Sequence, residues 1–220
     1  MRRLAGRALL IAAATAVVLA VAGAGIVWAV VRHDVGYLRA AHAHSRPVAA
    51  PVAAALLAID PALLDVRRLS LGAVYRSLRQ HRRGCGPTLA LRVIRSGSPR
   101  ARRRTRLEAE LATAFVTHAF TPDELLRIYA HDVYFGKVNG VEVHGLEAAS
   151  GAYLRKASHD LAPAEAALLV GMLPYPNAFS PFVHPTRALA RRNWVLTEMH
   201  RRGYLDDRQL RAAIAAPLPR

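Results

Sequence analysis

The longest apolar run of the chain covers residues 8–31, and it contains no charged residue. Roughly 20 apolar residues in a helix cross the hydrocarbon core of a bilayer, so the run predicts a transmembrane helix. A cleaved signal peptide is the alternative, because the small residues Ala22, Gly23 and Ala24 suit a peptidase. The apolar region of a signal peptide, however, is normally about 7–15 residues long. We therefore predict an uncleaved anchor.

The flanks of this run predict its orientation. Residues 1–7 carry three arginines, whereas Arg32 and Asp34 follow the run together. Positive charge beside a transmembrane helix stays on the cytoplasmic side, so we expect residues 1–7 in the cytoplasm, a single pass, and the rest of the chain outside. Residues 32–50, rich in histidine, alanine and proline, are then a connector. It leads to a domain predicted over residues 51–216.

Beyond the connector, the spacing of apolar residues predicts helices. Residues 52–59 are apolar and are followed by Asp60 and a proline, which stop a helix. Residues 121–124, Thr-Pro-Asp-Glu, are typical of a helix start. Residues 164–173 are apolar on nearly every side, which predicts a central buried helix, and a last helix is predicted over 187–202. No alternating strand pattern stands out, so the predicted fold class is mainly α.

The charge of the chain narrows the choice of partners. The net charge is +16, and Lys137 and Lys156 are the only lysines among 31 basic residues. Such an excess suits nucleic acid, an anionic membrane surface or a phosphorylated substrate; a GC-rich genome also explains an arginine bias. An exported domain rarely meets nucleic acid, so we expect no nucleic-acid partner. Cys85 is the only cysteine, which excludes a disulfide framework within the chain.

A family resemblance begins at residues 128–136, Ile-Tyr-Ala-His-Asp-Val-Tyr-Phe-Gly. This segment resembles the Leu-Tyr-Leu-Asn-x-x-Tyr-Phe-Gly stretch of the bacterial peptidoglycan transglycosylases, glycosyltransferase family 51. Further landmarks of the family follow in order: Gly145-Leu146-Glu147-Ala148-Ala149, Tyr153, Lys156, Leu161, residues 165–173, residues 176–181, Arg187-Ala188 and residues 192–196. Since no second extracytoplasmic domain follows them, the chain resembles the monofunctional branch, which lacks the transpeptidase of penicillin-binding proteins.

The resemblance implies a lysozyme-like helical transglycosylase domain on the outer side of the bacterial plasma membrane. Members polymerise lipid II, a lipid-linked disaccharide-peptide, into glycan strands for the cell wall. The implied partners are lipid II, the nascent glycan strand, the membrane and other cell-wall synthesis proteins. One carboxylate acts as general base on the acceptor hydroxyl. A second carboxylate, basic residues and a divalent cation, Mg²⁺ or Mn²⁺, assist the leaving pyrophosphate; we assign no residues as ligands of that cation.

The first family motif pairs Glu with Asp, and two registers are open here. In the preferred register Ile59 replaces the Glu and Asp60 matches the Asp. In the shifted register Asp60 itself occupies the position of the base. An aspartate is one methylene shorter than a glutamate, and a small misplacement of a catalytic group costs about 10²-fold in rate. Asp60 is therefore the first catalytic candidate.

The second family motif, Gly-x-Ser-Thr-x-Thr-Gln-Gln-Leu-x-Lys-Asn, matches residues 85–96. Thr88 is retained and Arg95 takes the place of the Lys, but both Gln positions have changed. Thr88, Arg92 and Arg95 are the substrate-binding candidates of this segment.

The third family motif, Arg-Lys-x-x-Glu, matches residues 104–108. Arg104 and Glu108 are retained, and Arg106 compensates for the missing Lys. The resemblance makes Glu108 the second catalytic carboxylate and adds Arg104 and Arg106 to the substrate-binding candidates. A solvated acid at a helix start and an exposed basic turn are the plain alternatives for these residues. His131, which replaces the Asn of the family, is expected to pack or to cap a helix.

Two interpretations stay open at this point. The chain is either a glycosyltransferase with divergent catalytic groups or a non-catalytic relative that binds lipid II or a cell-wall synthesis partner. A third interpretation, a basic membrane protein that binds anionic lipid through its arginines, does not explain the ordered landmarks between residues 129 and 196.

Overall fold

The computed structural model describes residues 45–60 and 119–219 continuously, short stretches between residues 14 and 43, and the single residues 93 and 116. The anchor predicted at residues 8–31 lies mostly outside this part of the chain and stays a prediction. Among the described residues, no helix combines the length and the apolarity that crossing a bilayer requires.

The described part of the chain is mainly helical, as predicted, but it also contains a small sheet. No strand pattern in the sequence indicates this sheet. The elements in chain order are α1 (Ala50–Ile59), α2 (Pro122–Asp132), β1 (Tyr134–Val138), β2 (Val141–His144), α3 (Leu146–Leu154), a 3₁₀ turn (Ser158–Asp160), α4 (Pro163–Met172), α5 (Pro185–Arg201) and α6 (Asp207–Ala215).

Helix α2 begins where the sequence predicts it. The Glu124 backbone N–H donates to Thr121 Oγ1 at 3.3 Å, and the Thr121 backbone N–H donates to Glu124 Oε2 at 2.7 Å. This reciprocal pair satisfies two backbone donors that the first turn of a helix leaves unpaired. The hydrogen bond from the Thr121 backbone N–H, together with one from the Thr121 hydroxyl at 2.9 Å, lowers the pKa of the Glu124 carboxyl. Proline at the first turn also opens α4 and α5.

The two strands form a tight antiparallel hairpin. Val138 pairs with Val141 across a turn at Asn139 and Gly140, whose φ angles are +52° and +82°. Positive φ at both central residues is the signature of the turn that best joins two twisted strands. The pairing shifts between Tyr134 and Lys137, and this irregularity interrupts the inward and outward alternation that would mark β1 in the sequence.

Helix α4 is the centre of the fold. Eight of its ten residues are buried, which confirms the predicted central helix. Helices α1, α3, α5 and α6 all pack against it. Helix α5, which overlaps the last helix predicted over 187–202, turns Val195, Leu196 and Met199 inward, each at most 1% exposed.

The sequence predicts that the helix over 187–202 is the last one, but α6 follows it. One buried side chain of α5 holds α6 in place. Arg192 is 2% exposed. Its guanidinium donates to the carbonyl oxygens of Ile214 at 2.9 Å and Ala216 at 2.7 Å, and to Asn193 Oδ1 at 3.0 Å. The two carbonyls lie at the C-terminal end of α6, which carries the negative end of the helix dipole. Burial lowers the pKa of Arg192, but these oxygens hold it as a cation.

Replacing Arg192 by Met should therefore lower the free energy of unfolding by about 3 kcal/mol, because two carbonyls at the end of α6 lose their charged donor. Urea unfolding of the detergent-solubilised protein, followed by circular dichroism, measures this change. Arg187→Met, at an exposed position of the same helix, is the control and should shift stability by at most about 0.5 kcal/mol. Equal stability of the two variants would contradict the role of Arg192.

Candidate functional site

Asp60 is the one predicted site residue within the described part of the chain. Glu108, Thr88, Arg92, Arg95, Arg104 and Arg106 lie outside it.

Asp60 occupies the position directly after α1. Its backbone N–H donates to the Leu56 carbonyl at 3.1 Å, which closes the last turn of the helix, and the residue is half-buried. A carboxylate at this end of a helix meets the negative end of the helix dipole. The helix therefore gains no electrostatic stability from an acid at this position.

Ile59, the residue before Asp60, has no group that could act as the general base. Ile59 packs against the hydrophobic core. In the preferred register it stands where the family has its catalytic Glu, so the motif supplies an apolar side chain there. Asp60 then provides the carboxylate adjacent to that position.

The position of Asp60 is fixed by the core rather than by a loop. Val52, Ala55 and Leu56 of α1 are at most 3% exposed, and α1 packs against both α4 and α5. Catalytic groups on rigid elements are held more accurately than groups on loops. The end of α1 is therefore a firm place for a reacting carboxylate.

The Tyr-Phe-Gly landmark holds the hairpin against two later landmarks. The Tyr153 hydroxyl donates to the Phe135 carbonyl at 2.9 Å, and burial raises the pKa of that hydroxyl, which keeps it a donor. Gly136 has φ +99°, and a Cβ there would lie 3.0 Å from Asn177 Oδ1. The same Asn177 oxygen accepts from the Lys137 backbone N–H at 3.2 Å. These landmark residues are accounted for by the fold.

A cleft of about 500 Å³ opens between the hairpin, the end of α3 and the loop that precedes α5. Its lining includes Lys137 and Arg155, together with Tyr153 and Phe182, whose rings stack at 5.5 Å between centroids. Lys137 also pairs with Glu142 at 3.4 Å. Cations beside an aromatic face suit a polar ligand that carries an anionic group.

The structure brings together a further group of side chains that the sequence analysis does not connect. His131 and Asp132 end α2, and both contact His42 of the connector. We call His42, His131 and Asp132 the His–Asp cluster. The side chain of His131 is 60% exposed, so it is not packed in the core as one of the sequence expectations has it. Burial lowers the pKa of His42, which favours a neutral imidazole.

A glycine fixes the backbone at the end of α2. Gly145 has φ +82°, and a Cβ there would lie 2.3 Å from the carbonyl oxygen of His131. Its N–H donates to the Val133 carbonyl at 2.9 Å. Any residue with a Cβ at position 145 would clash with the His131 carbonyl unless the backbone moved. The fold therefore explains why the landmark begins with a glycine.

Residues 64–200 match the protein family described as Transglycosylase. The match begins beyond Asp60 and includes the sequence positions of Glu108, Thr88 and the four candidate arginines, whose roles it does not test.

Three curated relatives are each named penicillin-binding protein 1A. That of Pseudomonas aeruginosa is 31% identical over 70% of this chain and 19% of its own length. That of Streptococcus pneumoniae is 31% identical over 84% of this chain and 27% of its own length, and that of Streptococcus oralis is 35% identical over 70% and 24%. The chain thus spans about a fifth to a quarter of the length of these relatives.

A crystal structure of penicillin-binding protein 1A from Haemophilus influenzae aligns with 69% of this chain and 17% of its own, with 18% identity and a TM-score of 0.38. A similarity at this level supports no argument about the fold.

Gly145→Ala should lower the free energy of unfolding by at least about 3 kcal/mol, because a strained backbone and a clash with His131 add together. Gly140→Ala is the matched control: its φ is also +82°, but nothing lies within 4 Å of the added Cβ. It should cost only about 1–2 kcal/mol. Denaturant unfolding of both variants measures the difference, and equal losses would remove the contact with His131 as the cause.

Proposed function

Because the chain belongs to the transglycosylase family, we propose that it is a peptidoglycan glycosyltransferase that adds lipid II to a growing glycan strand. The proposed setting is the outer face of the bacterial plasma membrane, with the N-terminus in the cytoplasm and residues 8–31 as the anchor. The observation that carries the proposal is the family match over residues 64–200, which includes the scaffold landmarks whose contacts are described above.

The proposed reaction is an inverting displacement. A carboxylate takes the proton of the acceptor hydroxyl, whose oxygen then forms a bond to the anomeric carbon of the donor sugar. The bond from that carbon to the pyrophosphate oxygen breaks, and the lipid pyrophosphate leaves with the electron pair. Base catalysis at the nucleophile and positive charge at the leaving group are what such a displacement requires.

In the proposal, Asp60 is the base and Glu108 is the second carboxylate. Thr88, Arg92, Arg95, Arg104 and Arg106 bind the substrate, and the arginines balance the charge on the pyrophosphate. Carboxylate and phosphate oxygens are also the ligands that Mg²⁺ and Mn²⁺ prefer. Such a cation, when bound, would add positive charge beside the leaving group.

We expect the reaction to be slow. Asp60 is a methylene shorter than the glutamate of the family, and a displacement of this size costs about 10²-fold in rate. The core position of Ile59 also favours a second candidate function, in which the chain binds lipid II or a cell-wall synthesis partner without polymerising the substrate.

Incubation of detergent-solubilised full-length protein with labelled lipid II and Mg²⁺ or Mn²⁺ should yield glycan polymer, at a lower rate than an active relative assayed alongside. Asp60→Asn should reduce the rate at least about 100-fold, since an amide cannot accept the proton, and Glu108→Gln should abolish polymerisation. Asp160→Asn, at an exposed acid in the 3₁₀ turn, is the control and should leave the rate unchanged.

The outcomes separate the two candidate functions. An undiminished rate in Asp60→Asn or in Glu108→Gln would remove that residue from the mechanism. If the wild-type protein forms no polymer but binds labelled lipid II, the non-catalytic function replaces the proposed one. If the protein neither polymerises nor binds lipid II, both are wrong.

A further inference from the structure

The His–Asp cluster places three metal-binding groups around one point. Asp132 Oδ2 lies 3.3 Å from His42 Nε2, and Asp132 Oδ1 lies 3.2 Å from His131 Nδ1. The donor atoms of the three side chains all lie within 4.8 Å of one another. The two imidazole rings are nearly perpendicular, with an angle of 77° and 4.8 Å between centroids, so one ring does not cover the other.

These spacings are close to those of a tetrahedral zinc site. Zinc binds histidine nitrogen and carboxylate oxygen at about 2.0–2.2 Å, which puts neighbouring ligand atoms about 3.3–3.5 Å apart. Each histidine nitrogen already lies at about this distance from one of the two Asp132 oxygens. Because the donor atoms of the three side chains lie within 4.8 Å of one another, binding one ion requires the most widely separated pair to approach by at most about 1.5 Å, within the reach of the exposed His131 side chain.

Three features of the surroundings hold the cluster in place. The second ring nitrogen of His42, Nδ1, lies 3.3 Å from Ser45 Oγ, which orients the imidazole as the outer contacts of metal ligands do. The side chain of His42 is only 6% exposed, and that of Asp132 is 24% exposed. The backbone of Gly145 packs closely against the carbonyl of His131, where a side chain would clash.

The electrostatics of α2 also favour a cation here. Asp132 is the last residue of the helix, where the helix dipole is negative and a carboxylate is unfavourable. A bound dication offsets both the carboxylate and the dipole. Two imidazoles with one carboxylate suit zinc and related transition metals, whereas Mg²⁺ and Ca²⁺ prefer sites built from oxygen ligands alone.

We propose that His42, His131 and Asp132 bind one Zn²⁺ and that the ion fastens the connector to the C-terminal end of α2. The fourth position of the ion faces solvent on the side of His131 and holds water. The site is independent of the proposed glycosyltransferase reaction, and its test uses no activity measurement.

The test is a calorimetric titration of Zn²⁺ into tag-free, detergent-solubilised full-length protein that has been stripped with a chelator. The wild-type protein should bind one ion per chain. His131→Asn, which installs the residue of the family motif at an exposed position, should weaken the binding at least about 100-fold, since even the loss of an outer contact costs 10–100-fold. His159→Asn is the matched control: that side chain is 62% exposed and lies 3.5 Å from Asp160. It should bind like wild type.

Trypsin cleavage after Arg39, followed by mass spectrometry, tests whether the ion holds the connector. At a zinc concentration of about 100 times Kd, only about 1% of the protein is free of metal. If the connector must release the metal before trypsin can reach it, cleavage slows by about 100-fold. Cleavage of the wild-type protein should slow accordingly, and cleavage of His131→Asn should not respond.

Absence of zinc binding in the wild-type protein, or equal binding in His131→Asn, would overturn the site and leave two histidines that merely share a carboxylate. Zinc binding with unchanged cleavage after Arg39 would overturn the fastening of the connector.

Discussion

Helix α4 is apolar on nearly every side, and the rest of the described structure follows from covering it. A helix that is apolar all round is stable only when other elements remove its whole surface from water. Helices α1, α3, α5 and α6 provide that cover. The end of α1, and with it Asp60, is therefore positioned by the packing of a helix more than a hundred residues away in the sequence. A change in α4 that alters its volume would move the candidate base.

In the C-terminal half of the chain, the family landmarks stabilise the fold. Tyr153, Gly136 and Asn177 hold the hairpin in place, and Arg192 with Asn193 holds α6. Each of these family landmarks has a structural role in the fold. The proposed reaction depends on the segments around Asp60 and Glu108, where the sequence departs from the family motifs.

Local signals explain how much of the fold could be predicted. The capping pair at Thr121, the prolines at first turns and the uniformly apolar α4 each act within a few residues, and the structure has helices at all three. The hairpin carries one local signal, the pair Asn139-Gly140, but its shifted register hides the strands. The roles of Glu108 and the contact between His42 and Asp132 depend on segments far apart in the chain. No local pattern encodes such distances.

The burial of His42 against α2 shortens the tether between the predicted anchor and the domain. Ten residues, 32–41, separate the end of that anchor from His42. They span roughly 15 Å if helical and at most roughly 35 Å if fully extended. If residues 8–31 form the predicted anchor, a domain on so short a tether stays within a few tens of ångströms of the bilayer. A substrate that is itself held by a lipid would be found by diffusion in two dimensions rather than three.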